Sequence, residues 1–313
     1  MTRNYKDLRE FIAFLESKKE LVRVRAPVSC ELEITEIADR TVKRGGPALL
    51  FESVQGYDAP VFINMYGTRQ RMAWALGVED LDELAARVRK LLGMVQSTPH
   101  GLVSKLRALG DLGRLASFEP KLVKDAPCQE VVLTGDQADV TKLPILKCWP
   151  MDGGRTITLP LVITRDPETG VRNVGMYRMQ VYDARTVGMH WQTHKVGTHH
   201  ERLARDKGLQ RLEVAVALGG DPATVWTGSA PLPPEMDEFR VAGFIREEGV
   251  ELVKARTVDL EVPAHAEFVI EGYVVPFETR LEGPFGDHTC YYSLPEQYPV
   301  MHITAITHRR KPI

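Results

Sequence analysis

The chain has 313 residues, with 40 Lys and Arg against 42 Asp and Glu for a formal charge of −2. At 43% hydrophobic and 26% charged it has the make-up of a globular chain rather than a disordered one. The even charge balance argues against a nucleic-acid partner, and no apolar run approaches the ~20 residues of a membrane span.

Leu8, Phe11, Ile12 and Leu15 recur at helical spacing and predict the first helix. A second is predicted over 31–42. Short apolar runs at 48–51 and 61–64, closed by Gly or Pro, predict strands. Leu81, Leu84, Ala85, Val88, Leu91 and Leu92 predict a further helix, with Asp80 as its cap and Gly93 as its stop. From 97 to 124 the signals weaken; helical fragments such as 102–109 are broken by Gly110 and Gly113. A domain boundary is expected near 115–125, in line with a length that favours two domains. Beyond it, β-branched runs at 130–133, 156–164, 173–182, 214–218, 223–227 and 267–275 predict strands, with one helix over 234–247 and a last strand over 300–307. Many short strands with turns between them suggest a barrel or sandwich.

Cys30, Cys128, Cys148 and Cys290 are widely spaced with no C-x-x-C pair, the pattern of reduced thiols. The first residues lack the apolar core of a secretory signal, so a cytoplasmic protein is expected.

Three segments can carry chemistry. In Glu282-Gly-Pro-Phe-Gly-Asp287, Gly283, Pro284 and Gly286 force an irregular turn that can hold two carboxylates close. One of them is then expected to have a raised pKa and to serve as a general acid; a solvated acidic turn is the alternative. Over 173–180 the alternation puts Asn173, Gly175, Tyr177 and Met179 on one face of a strand and Arg178 on the other. Arg178 could grip a carboxylate with two prongs, or simply face outward. In His190-Trp-Gln-Thr-His194-Lys-Val-Gly, the two histidines would share a face on a helix. A zinc reading nevertheless lacks both the Glu of H-E-x-x-H and a cysteine pair. Lys195 with Gly197 could serve a phosphate, and Trp191 could stack on a planar ring. Neither G-x-x-x-x-G-K-[ST] nor G-x-S-x-G is present, and no glycine pair opens a G-x-G-x-x-G helix. Nucleotide hydrolysis and a Rossmann dehydrogenase are disfavoured.

Taken in order, these segments resemble the UbiD-like decarboxylases, which use prenylated FMN to remove CO2 from aromatic and α,β-unsaturated acids. The likeness includes Leu32-Glu-Ile-Thr-Glu-Ile-Ala-Asp-Arg, Gly45-Gly-Pro-Ala-Leu-Leu-Phe-Glu, Leu143-Pro-Ile-Leu-Lys-Cys-Trp-Pro, 173–178, Ala217-Leu-Gly-Gly-Asp-Pro-Ala-Thr and Glu282-Gly-Pro-Phe-Gly-Asp-His-Thr. It implies an α+β fold, with an N-terminal α/β domain over 1–120 and a split β-barrel flavin domain over 121–313. The family's C-terminal α/β domain, which completes the substrate cavity and much of the oligomer contact, has no counterpart in these residues.

On the positions that match, the resemblance implies Arg178, Glu282 and Asp287 as the catalytic set. Arg178 orients the substrate carboxylate, Glu282 holds the arginine, and Asp287 donates the proton; many relatives carry Glu in place of Asp287. It implies Asn173, His190 and Glu238 as ligands of Mn²⁺ or Mg²⁺ beside the cofactor phosphate, with K⁺ nearby on unassigned ligands. Met176, Tyr177, Arg178, His190, Trp191, Gln192, Lys195 and Val196 match segments that line the cofactor. A 4-hydroxybenzoate substrate is expected, including the 3-polyprenyl form of ubiquinone biosynthesis. A flavin prenyltransferase would supply the cofactor, and the full-length form would be a homo-oligomer. Two other readings stay open: a catalytically silent flavin- or metal-binding fragment, and an FMN-dependent reductase.

Overall fold

The computed structural model describes residues 4–96, 116–232 and 236–313. Helix α1 (Leu8–Ser17) starts at Asp7, whose side chain accepts from the Arg9 and Glu10 N–H groups, and it buries the four apolar residues predicted. Phe11 is fully buried, and truncating it to Ala is expected to cost about 3–5 kcal/mol. Next come β1 (Leu21–Val24), α2 (Glu33–Lys43), β2 (Ala48–Phe51) and β3 (Val61–Ile63). β2 pairs parallel to β1 and antiparallel to β3, and all four of its residues are buried. Helices α3 (Arg69–Ala75) and α4 (Leu81–Gln96) follow. Helix α4 runs on through Gly93, its predicted stop, because one glycine costs a helix only about 1 kcal/mol. The fragment predicted over 102–109 and residues 234–235 of the helix predicted over 234–247 lie outside the described residues.

The remaining elements are β4 (Lys121–Leu122), β5 (Val131–Thr134), β6 (Thr156–Ile157), β7 (Leu161–Arg165), β8 (Arg172–Met176), β9 (Met179–Val181), β10 (Thr186–Met189), α5 (Val196–Asp206), β11 (Leu212–Leu218), α6 (Pro222–Thr227), α7 (Glu238–Arg246), β12 (Glu251–Lys254), β13 (Glu261–Pro263), β14 (Phe268–Glu282) and β15 (Glu296–His308). Eight of these strands run in the order β6-β9-β10-β15-β14-β11-β7-β8, with β5 also on β15, forming one curled half-barrel sheet. Alternate residues of β7 and β11 serve its two faces. Val162, Val214 and Val216 enter one apolar core, while Leu161, Ile163, Ala215 and Ala217 enter another that also holds Phe11, Leu15 and Leu50. Ion pairs of 2.9 Å from Arg309 to Asp7 and from Arg9 to Glu267 tie α1 to the C-terminal end of the sheet.

Several strands differ from expectation. Residues 223–227 are helical: Asp221 caps the Thr224 N–H at 2.9 Å and Pro222 takes the first turn, a start signal that outweighs β-branching. The run over 156–164 is interrupted before Leu161, and the run over 173–182 breaks at Tyr177 and Arg178. β14 passes the predicted end at 275 through an irregularity around Phe277 (φ 71°), so Glu282 is its last residue. Among the described residues no helix is long and apolar enough to cross a membrane.

Candidate active site

Arg178 stands in the break between β8 and β9, Glu282 at the end of β14, and β10 and β15 lie between the two strands. The guanidinium forks onto Glu282, with Nε to Oε1 at 3.0 Å and Nη2 to Oε2 at 3.2 Å. Nη2 also donates to Ser293 Oγ at 2.9 Å, and the group lies 4.7 Å from the centre of the Phe285 ring. Nη1 faces Asp287 Oδ2 at 3.8 Å, a looser contact. His190 Nδ1 lies 3.0 Å from Glu282 Oε2, and its ring packs 4.4 Å from that of Tyr298. The three residues expected to react therefore meet in one place.

Their protonation differs from expectation. Burial pushes Glu282 up, but hydrogen bonds from His190 and Arg178 outweigh it and hold the carboxyl below its usual range. Asp287 is likewise held low: the His288 side chain and backbone outweigh partial burial, with Arg178 adding to them. The expected raised carboxyl is absent from this pair because both acids face Arg178, and each accepts from a histidine besides.

A different carboxylate is raised. Burial pushes Glu238, at the start of α7, up to about 7, and Asp237 adds to it; backbone N–H donors and the Arg172 charge offset this only partly. Glu238 Oε2 accepts from the Val174 N–H at 2.9 Å, which brings it beside buried Asn173. The Asn173 amide donates to Tyr177 Oη at 3.4 Å, so its carbonyl oxygen remains as a ligand atom. His190 is fixed on its Nδ1 side by Glu282, which leaves Nε2. One carboxylate, one amide oxygen and one imidazole suit Mn²⁺ or Mg²⁺, and a carboxylate without a matching cation suits a site for one. Among the described residues no three His, Cys, Asp or Glu side chains are grouped so as to hold a metal ion by themselves.

The residues expected at a cofactor are spread over two settings. Tyr177 and Trp191 are buried in the barrel core, edge to face at 6.4 Å. A Cβ on Gly175 would stand 2.2 Å from the Tyr177 ring, so glycine there makes room for it. Trp191 Nε1 is buried without a hydrogen-bond partner among the described residues. Met176 and Val196 are half-buried, and Gln192 and Lys195 are exposed. His190 and His194 precede α5 rather than sharing a helix face, which removes the basis of the zinc reading. The orphaned indole N–H, the exposed Lys195 and the Asn173–Glu238 pair fit a phosphate-bearing cofactor held through a divalent cation.

Sequence reasoning missed Ser293, Phe285, Gln180 and Asp152. Gln180 follows Arg178 by two residues, a spacing that could have suggested it; its Oε1 accepts from the Gly283 N–H at 2.7 Å. A cavity of about 500 Å³, largely apolar, lies where β3 faces β6 and residues 143–146. It is walled by Phe62, Leu143, Ile145 and Phe268 and does not include Arg178, Glu282 or Asp287. One of its lining residues, Thr156 of β6, pairs with Gln180 of β9.

An α+β protein with an open, curled barrel is the class this fold defines. Residues 121–313 match the 3-octaprenyl-4-hydroxybenzoate carboxy-lyase Rift-related domain, and residues 12–90 match the N-terminal domain of the same enzymes. The chain belongs to the UbiD family. An uncharacterized protein of Archaeoglobus fulgidus is 55% identical over 99% of this chain and 63% of its own length. The UbiD-class enzyme HmfF of Pelotomaculum thermopropionicum, in complex with FMN, superimposes with a TM-score of 0.84 at 34% identity over 98% of this chain and 63% of that one. Vanillic acid decarboxylase of Sedimentibacter hydroxybenzoicus, in its closed form, gives a TM-score of 0.84 at 30% identity over 99% and 63%. The chain thus spans under two thirds of the length of these relatives.

Proposed function

We propose that the chain decarboxylates an aromatic acid of the 4-hydroxybenzoate type without net oxidation, with prenylated FMN as cofactor. The observation that carries this reading is Arg178: two of its nitrogens are taken by Glu282, while Nη1 is only loosely engaged by Asp287. That edge is free to bind a substrate carboxylate. Glu282, fully buried and held ionised, fixes the fork and keeps its own charge throughout. Substrate binding diverts Arg178 from Asp287, the least of the contacts that hold Asp287 low, and brings a second carboxylate beside it, and both changes push the Asp287 carboxyl up. Asp287 can then carry a proton and pass it to the ring carbon as CO2 leaves, so that an arenecarboxylate and one proton give an arene and CO2. The prenylated flavin, when bound, supplies the electron sink for the carbon–carbon cleavage.

Asn173, Glu238 and His190 would hold Mn²⁺ or Mg²⁺. Met176, Tyr177, Arg178, Trp191, Gln192, Lys195 and Val196 would line the flavin with His190. The family description and a relative that acts on vanillic acid support a 4-hydroxylated ring, with the 3-polyprenyl acid of ubiquinone biosynthesis as one member of that class. A cytoplasmic, oligomeric enzyme supplied by a flavin prenyltransferase completes the reading, and the domain division at residue 120 belongs to it.

The test is co-expression with a flavin prenyltransferase, mass spectrometry of the released small molecules, and assay of CO2 from 4-hydroxybenzoates. Prenylated FMN with Mn²⁺ and CO2 release would support the reading. Bound prenylated flavin without CO2 would favour a silent flavin-holding portion of a larger enzyme. NAD(P)H-dependent flavin bleaching without CO2 would favour a reductase.

A further inference from the structure

The segment from Gly283 to Ser293 carries Asp287 and is closed on itself: Phe285 N–H donates to Ser293 Oγ, Ser293 N–H to Phe285 O, and Asp287 N–H to Tyr291 O. Closure fixes its internal shape but not its place on the barrel. Gln180 and Arg178 hold its two ends, at Gly283 and Ser293, and residues 149–153 set the place of the stretch between that leads into Asp287. Asp152, buried, accepts from the Gly286 N–H at 2.8 Å with Oδ1 and from the Trp149 N–H at 2.9 Å with Oδ2. The Gly153 N–H donates to Pro284 O at 2.7 Å, and a Cβ on Gly153 would stand 2.3 Å from Gly283 O. The Trp149 ring is packed so closely on Gly286 that a Cβ there would meet it at 2.3 Å. Gly286 is the residue before Asp287.

We propose that Asp152 is a positioning residue for Asp287: by holding the Gly286 N–H it sets where the Asp287 carboxylate stands beside Arg178. It makes no hydrogen bond to Arg178 or Glu282, and it grips the loop at Gly286, next to Asp287, rather than at Phe285 or Ser293, which touch Arg178. The larger effect is therefore expected on proton delivery and the smaller on the grip on the substrate carboxylate. This rests on the decarboxylase reading. A misplacement of about 1 Å at a reacting group can slow a step by about a hundredfold, so a loosened loop has a measurable consequence.

Asp152→Asn is nearly isosteric, but its amide must face two N–H donors with one oxygen, so one hydrogen bond is lost. Gly153→Ala displaces the same loop by steric contact and serves as the second variant. In the unloaded chain, hydrogen exchange of peptides spanning 283–293 is expected to quicken in both variants while barrel peptides keep their protection. In the loaded enzyme, kcat is expected to fall about tenfold or more, with KM within about threefold and a larger solvent deuterium isotope effect on kcat. A merely less stable enzyme would not show the isotope change. Adding Asp287→Asn to Asp152→Asn is expected to cost little beyond Asp287→Asn alone, because both act on one step. Unchanged exchange over 283–293, a loss that multiplies with that of Asp287→Asn, or a rise confined to KM would each overturn the assignment. A wild-type enzyme that holds prenylated flavin yet releases no CO2 would defeat the decarboxylase reading instead, and the exchange data would still decide whether Asp152 holds the loop.

Discussion

Glu282 ends a barrel strand and Glu238 opens a helix, and the more deeply buried of these two carboxylates is the more acidic. Glu282 is fully buried yet held below its usual range, because an arginine fork and an imidazole meet it. Glu238 is only partly buried yet pushed up to about 7, because burial is met only by backbone donors and an unpaired, weaker pull from Arg172. Burial raises both carboxyls, and whether a partner outweighs it decides the direction. The first site is a finished ion pair, and the second is half of one.

The largest effect is expected at the finished pair. Arg178→Ala should abolish CO2 release, a loss of about a thousandfold or more. It should also destabilise the fold by about 3–5 kcal/mol, because Glu282 would remain buried without its counter-ion. Arg178→Lys keeps the charge but not the fork and should recover little in either the CO2 assay or a thermal melt. Wild-type behaviour from the lysine variant would sink the argument that geometry matters there.

Next comes Asp287→Asn, expected to slow turnover by about 10²–10⁴-fold while KM holds. In D₂O the label should no longer enter the product at the vacated carbon. Full turnover with full labelling would remove Asp287 from the proton step.

The half-made pair is sharpened by Glu238→Gln. Mn²⁺ affinity, read by paramagnetic resonance titration, should fall at least about tenfold, whereas Asp287→Asn should leave it unchanged. Equal affinities in all three proteins would mean that no cation completes the Glu238 site.

The smallest effect tests burial alone. His200 is buried with Nδ1 2.9 Å from Thr164 Oγ1, and burial pulls it down to about 4 despite Asp166 nearby. A folded-state pKa below the unfolded value gives stability that is complete above about pH 6.5 and lost as pH falls toward 4, on the order of 1–3 kcal/mol. The melting temperature of the wild type should therefore drop more steeply across that window than that of His200→Asn. Parallel curves would show that the imidazole titrates freely.

What the sequence could show was what lies close along it. The spacing of Leu8, Phe11, Ile12 and Leu15 placed α1, and the β-branched run over 214–218 placed β11, because both signals are local. The region 223–227 failed because composition was weighed over the cap at Asp221, although that signal was also local. At the site, residue chemistry picked out Arg178 and the Glu282–Asp287 turn and resemblance joined them into one set, but the charge states of the two acids were misread from the six-residue turn. The groups that set the Glu282 state, Arg178 and His190, lie 104 and 92 residues away. Asp152 was invisible for the same reason, since its partner Gly286 is 134 residues distant.

That separation also bears on how the molecule forms. The Arg178–Glu282 fork requires β9, β10, β15 and β14 to be aligned side by side, so it closes a loop of 104 residues only after three separate strand pairings are in register. Contacts of such high sequence separation come late, since the chain must lose loop entropy before they return anything. A one-residue slip of β14 against β15 would turn Glu282 to the other face and strand the guanidinium. The ion pair thus discriminates against misregistered barrels, and a nascent chain gains its reactive centre only once the sheet is correctly threaded.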